Sequence, residues 1–139
     1  MVLSRFFSSV YSIEPPGEFD KPQDRSCDIP MEIVKFNVAD IFLRLSKLNV
    51  NKSSGPDGLH PRLLYEARNE ISYPLKLIFE CSFTTKKLPM DWRVANISAI
   101  FKEGTESEVG NYRPVSLTSV VCKIMESIIR ENIMEYFIK

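Results

Sequence analysis

One histidine, three cysteines, five glycines and no surplus of either charge are the scarcities of this 139-residue chain. His60 alone cannot build a metal cluster, and no acidic pair stands beside it, so it reads as a loop or cap residue. Cys27, Cys81 and Cys122 are odd in number and far apart. They lack the close pairs of zinc sites and disulfide frameworks and read as reduced thiols inside a cell. Eighteen Lys and Arg balance eighteen Asp and Glu. That balance excludes a protein basic over its whole surface, so any nucleic-acid contact must be local. Apolar runs are only a few residues long, too short to span a bilayer. Residues 1–12 carry one Arg and scattered Phe, Val and Tyr, with no apolar run before a small-residue cleavage site. No secretory leader is expected. The Asn-Xaa-Ser triplets at Asn51 and Asn96 are then chance matches, and the expected location is intracellular, in cytoplasm or nucleus.

What is present suits one domain. The chain is 44% hydrophobic, too apolar for disorder. At this length a compact fold buries roughly two thirds of the surface its unfolded chain exposes. Residues 14–32 hold four of the nine prolines and almost no periodicity, which marks an extended linker. The twelve residues before it carry Phe6, Phe7, Val10 and Tyr11, an apolar face too short to fold alone and expected to dock elsewhere. From Asn37, a plausible cap, Val38, Ile41, Phe42, Leu45 and Leu48 recur at spacings of three and four and predict a helix over 38–48. Residues 51–58, NKSSGPDG, are a dense turn. Pro61 opens a second helix that buries Leu63, Leu64 and Ala67. A third is expected from Ser72 to Thr85, with Pro74 in its first turn. After Trp92, a core aromatic before it is a stacking platform, the period changes to two. Ala95, Ile97, Ala99 and Phe101 alternate with Asn96, Ser98, Ile100 and Lys102, as in a half-buried strand. Residues 103–111 form a hairpin loop, and Tyr112 to Leu117 the returning strand. A long helix over 119–136 closes the chain, with Val121, Ile124, Met125, Ile128, Ile129, Ile133 and Phe137 along its apolar stripe. The fold class is therefore α+β, mostly helical with one β-hairpin, whose apolar face must lie on the helices because a lone hairpin is marginal.

Two features can carry chemistry. Ser54-Gly55-Pro56-Asp57-Gly58 can present backbone N–H groups to a phosphate. It lacks the spacing of known phosphate loops. Local evidence favours a plain turn in which Asp57 bonds its own backbone. Lys102 and Arg113 stand just inside the hairpin on consecutive strands, and two close cations suit a polyphosphate. The competing reading is a pair of solvated strand-end charges, each salt-bridged to Glu103, Glu106 or Glu108.

The runs 51–64 (NKSSGPDGLHPRLL), 88–97 (LPMDWRVANI), 100–102 (IFK) and 110–120 (GNYRPVSLTSV), followed by Lys123 and Glu126, resemble the start of a reverse transcriptase of LINE-type, jockey-like non-LTR retrotransposons. The resemblance covers about residues 34–137 and implies a division into a linker over 1–33 and a partial reverse transcriptase domain, the fingers of a right-hand polymerase, over 34–139. It implies that Lys102 and Arg113 approach the incoming nucleotide's triphosphate. It also implies that the turn with Lys52, Gly55, Asp57 and Gly58 meets the RNA template. Glu103 stands where a second lysine is common, and Ser54 where proline is usual.

In that family the carboxylates that hold two magnesium ions lie in the palm, downstream of these blocks. Here there is no Asp-Asp pair and no aspartate after Asp91. The expectation is a fingers fragment without a palm: no catalytic residue, no metal ligand, no cofactor of its own, and no polymerisation alone. Two other readings stay open. One is a weak, salt-sensitive binder of nucleic acid or nucleotide using Lys102, Arg113, Lys52 and Arg62. The other is a helical interaction protein whose uncovered apolar residues, Ile128, Ile133 and Phe137, bind the missing palm or another protein chain.

Overall fold

The computed structural model describes residues 2–11 and 33–138. The expected linker, and Cys27 within it, lie outside the described residues. The elements are helices α1 (Val2–Ser9), α2 (Val38–Ser46), α3 (Pro61–Glu66) and α4 (Arg68–Thr85), strands β1 (Asn96–Phe101) and β2 (Tyr112–Leu117), and helix α5 (Val120–Ile138). They fall into two compact units. One contains the described residues from 33 to 97 and 116 to 138; the other contains residues 2–11 and 98–115.

In the larger unit the apolar faces of α2, α4 and α5 close on one core. Ile41 and Leu45 of α2, Leu64 of α3, Leu75 and Phe79 of α4, and Val121, Ile124, Met125 and Ile128 of α5 are buried together with Val34 and Phe36. The Phe79 ring lies 5.6 Å from Phe36 and 5.9 Å from Trp92, both in tilted or edge arrangements that aromatic pairs prefer. Trp92 is thus a core aromatic, as its context suggested.

The caps explain where the helices start. The Asn37 side chain accepts from the Ala39 N–H at 3.0 Å, and His60 Nδ1 accepts from the Arg62 N–H at 3.2 Å. Ser119, fully buried, accepts from the Cys122 N–H at 3.3 Å and so caps α5. Two boundaries differ from the sequence expectation. Helix α2 stops at Ser46, where Lys47 leaves the helical region. Helix α4 begins at Arg68 rather than Ser72, because Ala67 ends α3 and starts α4 without a break and Glu70 stands in the first turn, beside the positive end of the helix. Pro74 therefore lies inside the helix, where its missing N–H leaves the Glu70 carbonyl without its usual helical donor. Ser72 is buried there and donates to the Arg68 carbonyl, which satisfies its hydroxyl.

Burial along α5 also corrects an expectation. Ile128 is 1% exposed and belongs to the core, whereas Phe137 is 76% exposed. The helix outruns the layer beneath it, so only its first half is covered. Cys122, in that half, is buried within 3.6 Å of Glu126, and burial with this carboxylate pushes its thiol up to about 11. It is a neutral, unreactive thiol at physiological pH.

The smaller unit is a ribbon with a tied loop. Lys102 N–H donates to the Asn111 carbonyl at 2.8 Å, and Glu108 and Asn111 close successive turns between the strands. Tyr112 Oη donates to the Glu106 carbonyl at 3.1 Å. Helix α1 packs on the turn Val109–Asn111 and buries Phe7. The half-burial expected of β1 is not seen: Ile97, Ile100 and Phe101 are all exposed. The sheet has two strands only, so among the described residues no third strand shelters either face.

Phe79→Ala is expected to cost about 3–5 kcal/mol of stability, because it empties the centre of the core, while Phe137→Ala changes it by less than about 0.5 kcal/mol. Urea denaturation followed by circular dichroism measures both; equal losses would contradict this core.

Candidate functional site

The turn at 51–58 is held by its own backbone and by the helix beside it. Gly58 N–H donates to the Gly55 carbonyl at 3.1 Å, and Asp57 Oδ1 accepts from the Leu59 N–H at 3.2 Å. Asp57 thus bonds its own backbone, as a plain turn requires; its Oδ2 is buried with no hydrogen-bond partner among the described residues. The two glycines act for different reasons. Gly58 has φ +68° with open space around it, so its requirement is conformational. A Cβ on Gly55 would lie 2.6 Å from the Thr118 carbonyl oxygen and 2.7 Å from the Ser119 nitrogen. The turn therefore seats directly on the residues that cap α5. The side of Gly55 that would carry a side chain is occupied by the chain itself.

The expected cationic pair lies on the ribbon. The Phe101 and Tyr112 rings touch at 5.4 Å, so these residues share one face. Arg113 follows Tyr112 in β2 and so points to the other face of that strand, while Lys102 lies one residue beyond the end of β1. Lys102 N–H bonds across to the Asn111 carbonyl, which puts Lys102 at the loop end of the ribbon, two residues of the facing chain away from Arg113. Both are exposed. Lys102 Nζ is 3.9 Å from Glu103 Oε1, a loose, solvated pair. Arg113 has no ion pair among the described residues.

A third feature escaped sequence reasoning. A cavity of about 440 Å³ opens between α2, the 49–53 segment and α5, lined by Lys47, Lys52 and Lys123 at its rim and by Leu48, Pro61, Val120 and Ile124. Arg44 forms a wall, and its charge is already matched. It donates to Ser127 Oγ at 2.8 Å, to Asp40 at 3.5 Å and to Glu131. Its Nε lies 3.3 Å from Asp40 Oδ1 without hydrogen-bond alignment. Burial pulls the guanidinium's pKa down, but the hydrogen bond to Glu131 and the two carboxylates outweigh it and hold the value above its ordinary one. The same hydrogen bond, and the charge behind it, hold the Glu131 carboxyl below its ordinary 4.5. Lys47 and Lys123 lie far apart in sequence, and no spacing pattern joins them before the fold is known.

No protein-family model matches this sequence. The chain is similar to three curated RNA-directed DNA polymerases of non-LTR retrotransposons. To the Retrovirus-related Pol polyprotein from type-1 retrotransposable element R1 of Bradysia coprophila it is 24% identical over 119 residues, which cover 84% of this chain and 12% of that protein. To the Probable RNA-directed DNA polymerase from transposon X-element of Drosophila melanogaster it is 27% identical over 127 residues, covering 88% and 14%. To the RNA-directed DNA polymerase from mobile element jockey of the same fly it is 33% identical over 91 residues, covering 65% and 10%. The chain spans between 10% and 14% of the length of these relatives.

Gly55→Ala should lose about 1–3 kcal/mol through overlap with Thr118 and Ser119, and Gly58→Ala about 1–2 kcal/mol through its left-handed backbone. Asn, which tolerates that conformation, should restore stability at 58 but not at 55; rescue at both in thermal melts would contradict the seating. For Glu131, a depressed folded pKa means that its stabilising contribution is complete above 4.5 and fades as pH falls through the depressed value. The native chain should therefore lose more stability than Glu131→Gln as pH falls from about 5 through the depressed value. Parallel urea profiles over that window would contradict the pairing with Arg44.

Proposed function

We propose that this chain is the template- and nucleotide-contacting fingers portion of a non-LTR retrotransposon reverse transcriptase. The observation that carries the reading is similarity to three such polymerases, two of them matched over more than four fifths of the chain. The ribbon supports it: two exposed cations near its loop end, with Arg113 free of ion pairs among the described residues, suit the triphosphate of an incoming nucleotide. The turn with Lys52, Gly55, Asp57 and Gly58 would meet the RNA template, with Gly55 and Gly58 shaping it and Lys52 supplying charge.

Among the described residues no group of three His, Cys, Asp or Glu is placed to hold a metal ion. The described residues do not fit a polymerase metal pair, and they carry no step of the metal chemistry. On this reading the chain alone would bind without polymerising. Exposed Ile133, Met134, Phe137 and Ile138 at the end of α5 favour a protein partner on that side. No helix among the described residues is long and apolar enough to cross a membrane.

Nucleotide binding tests the reading. Titration calorimetry with dTTP at low salt should show weak binding that falls at least tenfold in Lys102→Ala/Arg113→Ala, a loss of about 1.4 kcal/mol. It should rise about two- to fivefold in Glu103→Gln, which removes the carboxylate nearest Lys102. RNA-templated incorporation should be absent with Mg²⁺ or Mn²⁺. Nucleotide binding unmoved by the double substitution would remove the ribbon's role.

A further inference from the structure

The cavity between α2 and α5 has two properties that rarely coincide by accident. Its floor is apolar, from Leu48, Pro61, Val120 and Ile124, while its rim carries three lysines, Lys47, Lys52 and Lys123. None of these lysines has an ion-pair partner among the described residues. The cation that does have partners, Arg44, is turned to Asp40, Glu131 and Ser127. Asp40 and Glu131 are thus bonded to Arg44 on the wall, Lys47 acts on Glu131 through its charge alone, and the three rim lysines form no ion pair among the described residues. Asn49 and Ser53 add neutral polar groups to the lining. The volume of about 440 Å³ lies within the range of small-molecule sites.

An occupant must match both properties: an anionic group for the lysines and an apolar or weakly polar body for the floor, which on the template reading is a base. A simple anion leaves the floor bare, and an aliphatic chain leaves the lysines unpaired. We infer that this cavity seats one nucleoside phosphate, its phosphate at the three lysines and its base on Leu48, Pro61, Val120 and Ile124. The phosphate is that of a free mononucleotide or of one residue in a single strand. The inference rests on the template reading in sharing Lys52 with it. It goes further by assigning Lys47 and Lys123 to the same ligand and by giving the base a floor. The seat exists because Gly55 lets the turn approach Thr118 and Ser119, which brings the 49–53 segment beside the first turns of α5.

The test uses the full chain and three probes: inorganic phosphate, UMP and a fluorescein-labelled U₈ oligonucleotide, at 25 mM and 150 mM salt. Lys47→Gln/Lys123→Gln alters two exposed side chains, and circular dichroism checks that the fold is kept. Binding of U₈ or UMP that is at least tenfold tighter than that of phosphate, and is weakened at least fivefold in the double variant, supports the seat. U₈ alone assigns it to a strand, and UMP equal to U₈ assigns it to a free nucleotide. For U₈ the salt slope should fall by about 0.7 for each phosphate that the variant no longer neutralises. Phosphate binding as tightly as UMP, or nucleotide binding untouched by the double variant, overturns it. Lys102→Ala/Arg113→Ala separates the two sites. If U₈ binding depends on the ribbon and not on Lys47 and Lys123, the cavity inference fails while the reading as a polymerase portion stands. If no probe binds, the cavity inference fails, and the reading as a polymerase portion is decided by the dTTP titration.

Discussion

The close approach of Gly55 to the Thr118–Ser119 backbone is the constraint on which the 51–58 turn and the start of α5 depend. A turn so rich in polar and conformationally special residues has no apolar face with which to anchor itself. It is held instead by steric fit, a backbone-on-backbone contact that only glycine permits. Ser119 is on the other side of that contact, fully buried and capping α5. The turn and the start of the helix therefore form one structural joint, which sets Lys52 and Lys123 around a common space.

Charge is distributed in the same spirit. The chain as a whole is neutral, yet its carboxylates are not spread evenly over its cations. Asp40 and Glu131 both converge on Arg44, which fastens α2 to the second half of α5. The lysines at the cavity rim and Arg113 on the ribbon remain without ion pairs among the described residues. Local positive charge in a neutral protein implies contacts that are weak and sensitive to salt.

Much of the fold is legible in the residues. Asn37, His60 and Pro61 mark helix starts by side-chain chemistry alone, and the three-four spacing of Ile41 and Leu45 finds the core face of α2. The period of two finds the strands, and register follows once Phe101 meets Tyr112. What fails is tertiary in origin. The alternation in β1 promised burial that a two-stranded sheet does not supply. The stripe of α5 reads as continuous to Phe137, but periodicity cannot say where the layer beneath a helix ends, so Ile128 is covered and Phe137 is not. Pro74 misplaced the start of α4 because a proline inside a well-packed helix looks in sequence like a proline at its first turn. Of the candidate site, the Lys102–Arg113 couple is visible as two cations flanking a hairpin. The lysine-rimmed cavity is not visible, since its residues come from three separate segments.

Two-dimensional ¹H–¹⁵N NMR of the chain titrated with single-stranded RNA, and separately with a deoxynucleoside triphosphate, probes the nucleic-acid role at residue resolution. RNA should shift amides at 47–58 and 119–124, and the triphosphate those at 100–104 and 111–114, each progressively and reversibly with added salt. Spectra unmoved by millimolar ligand, or shifts confined to the exposed end of α5, would contradict a nucleic-acid role and leave an interaction surface as the feature to explain.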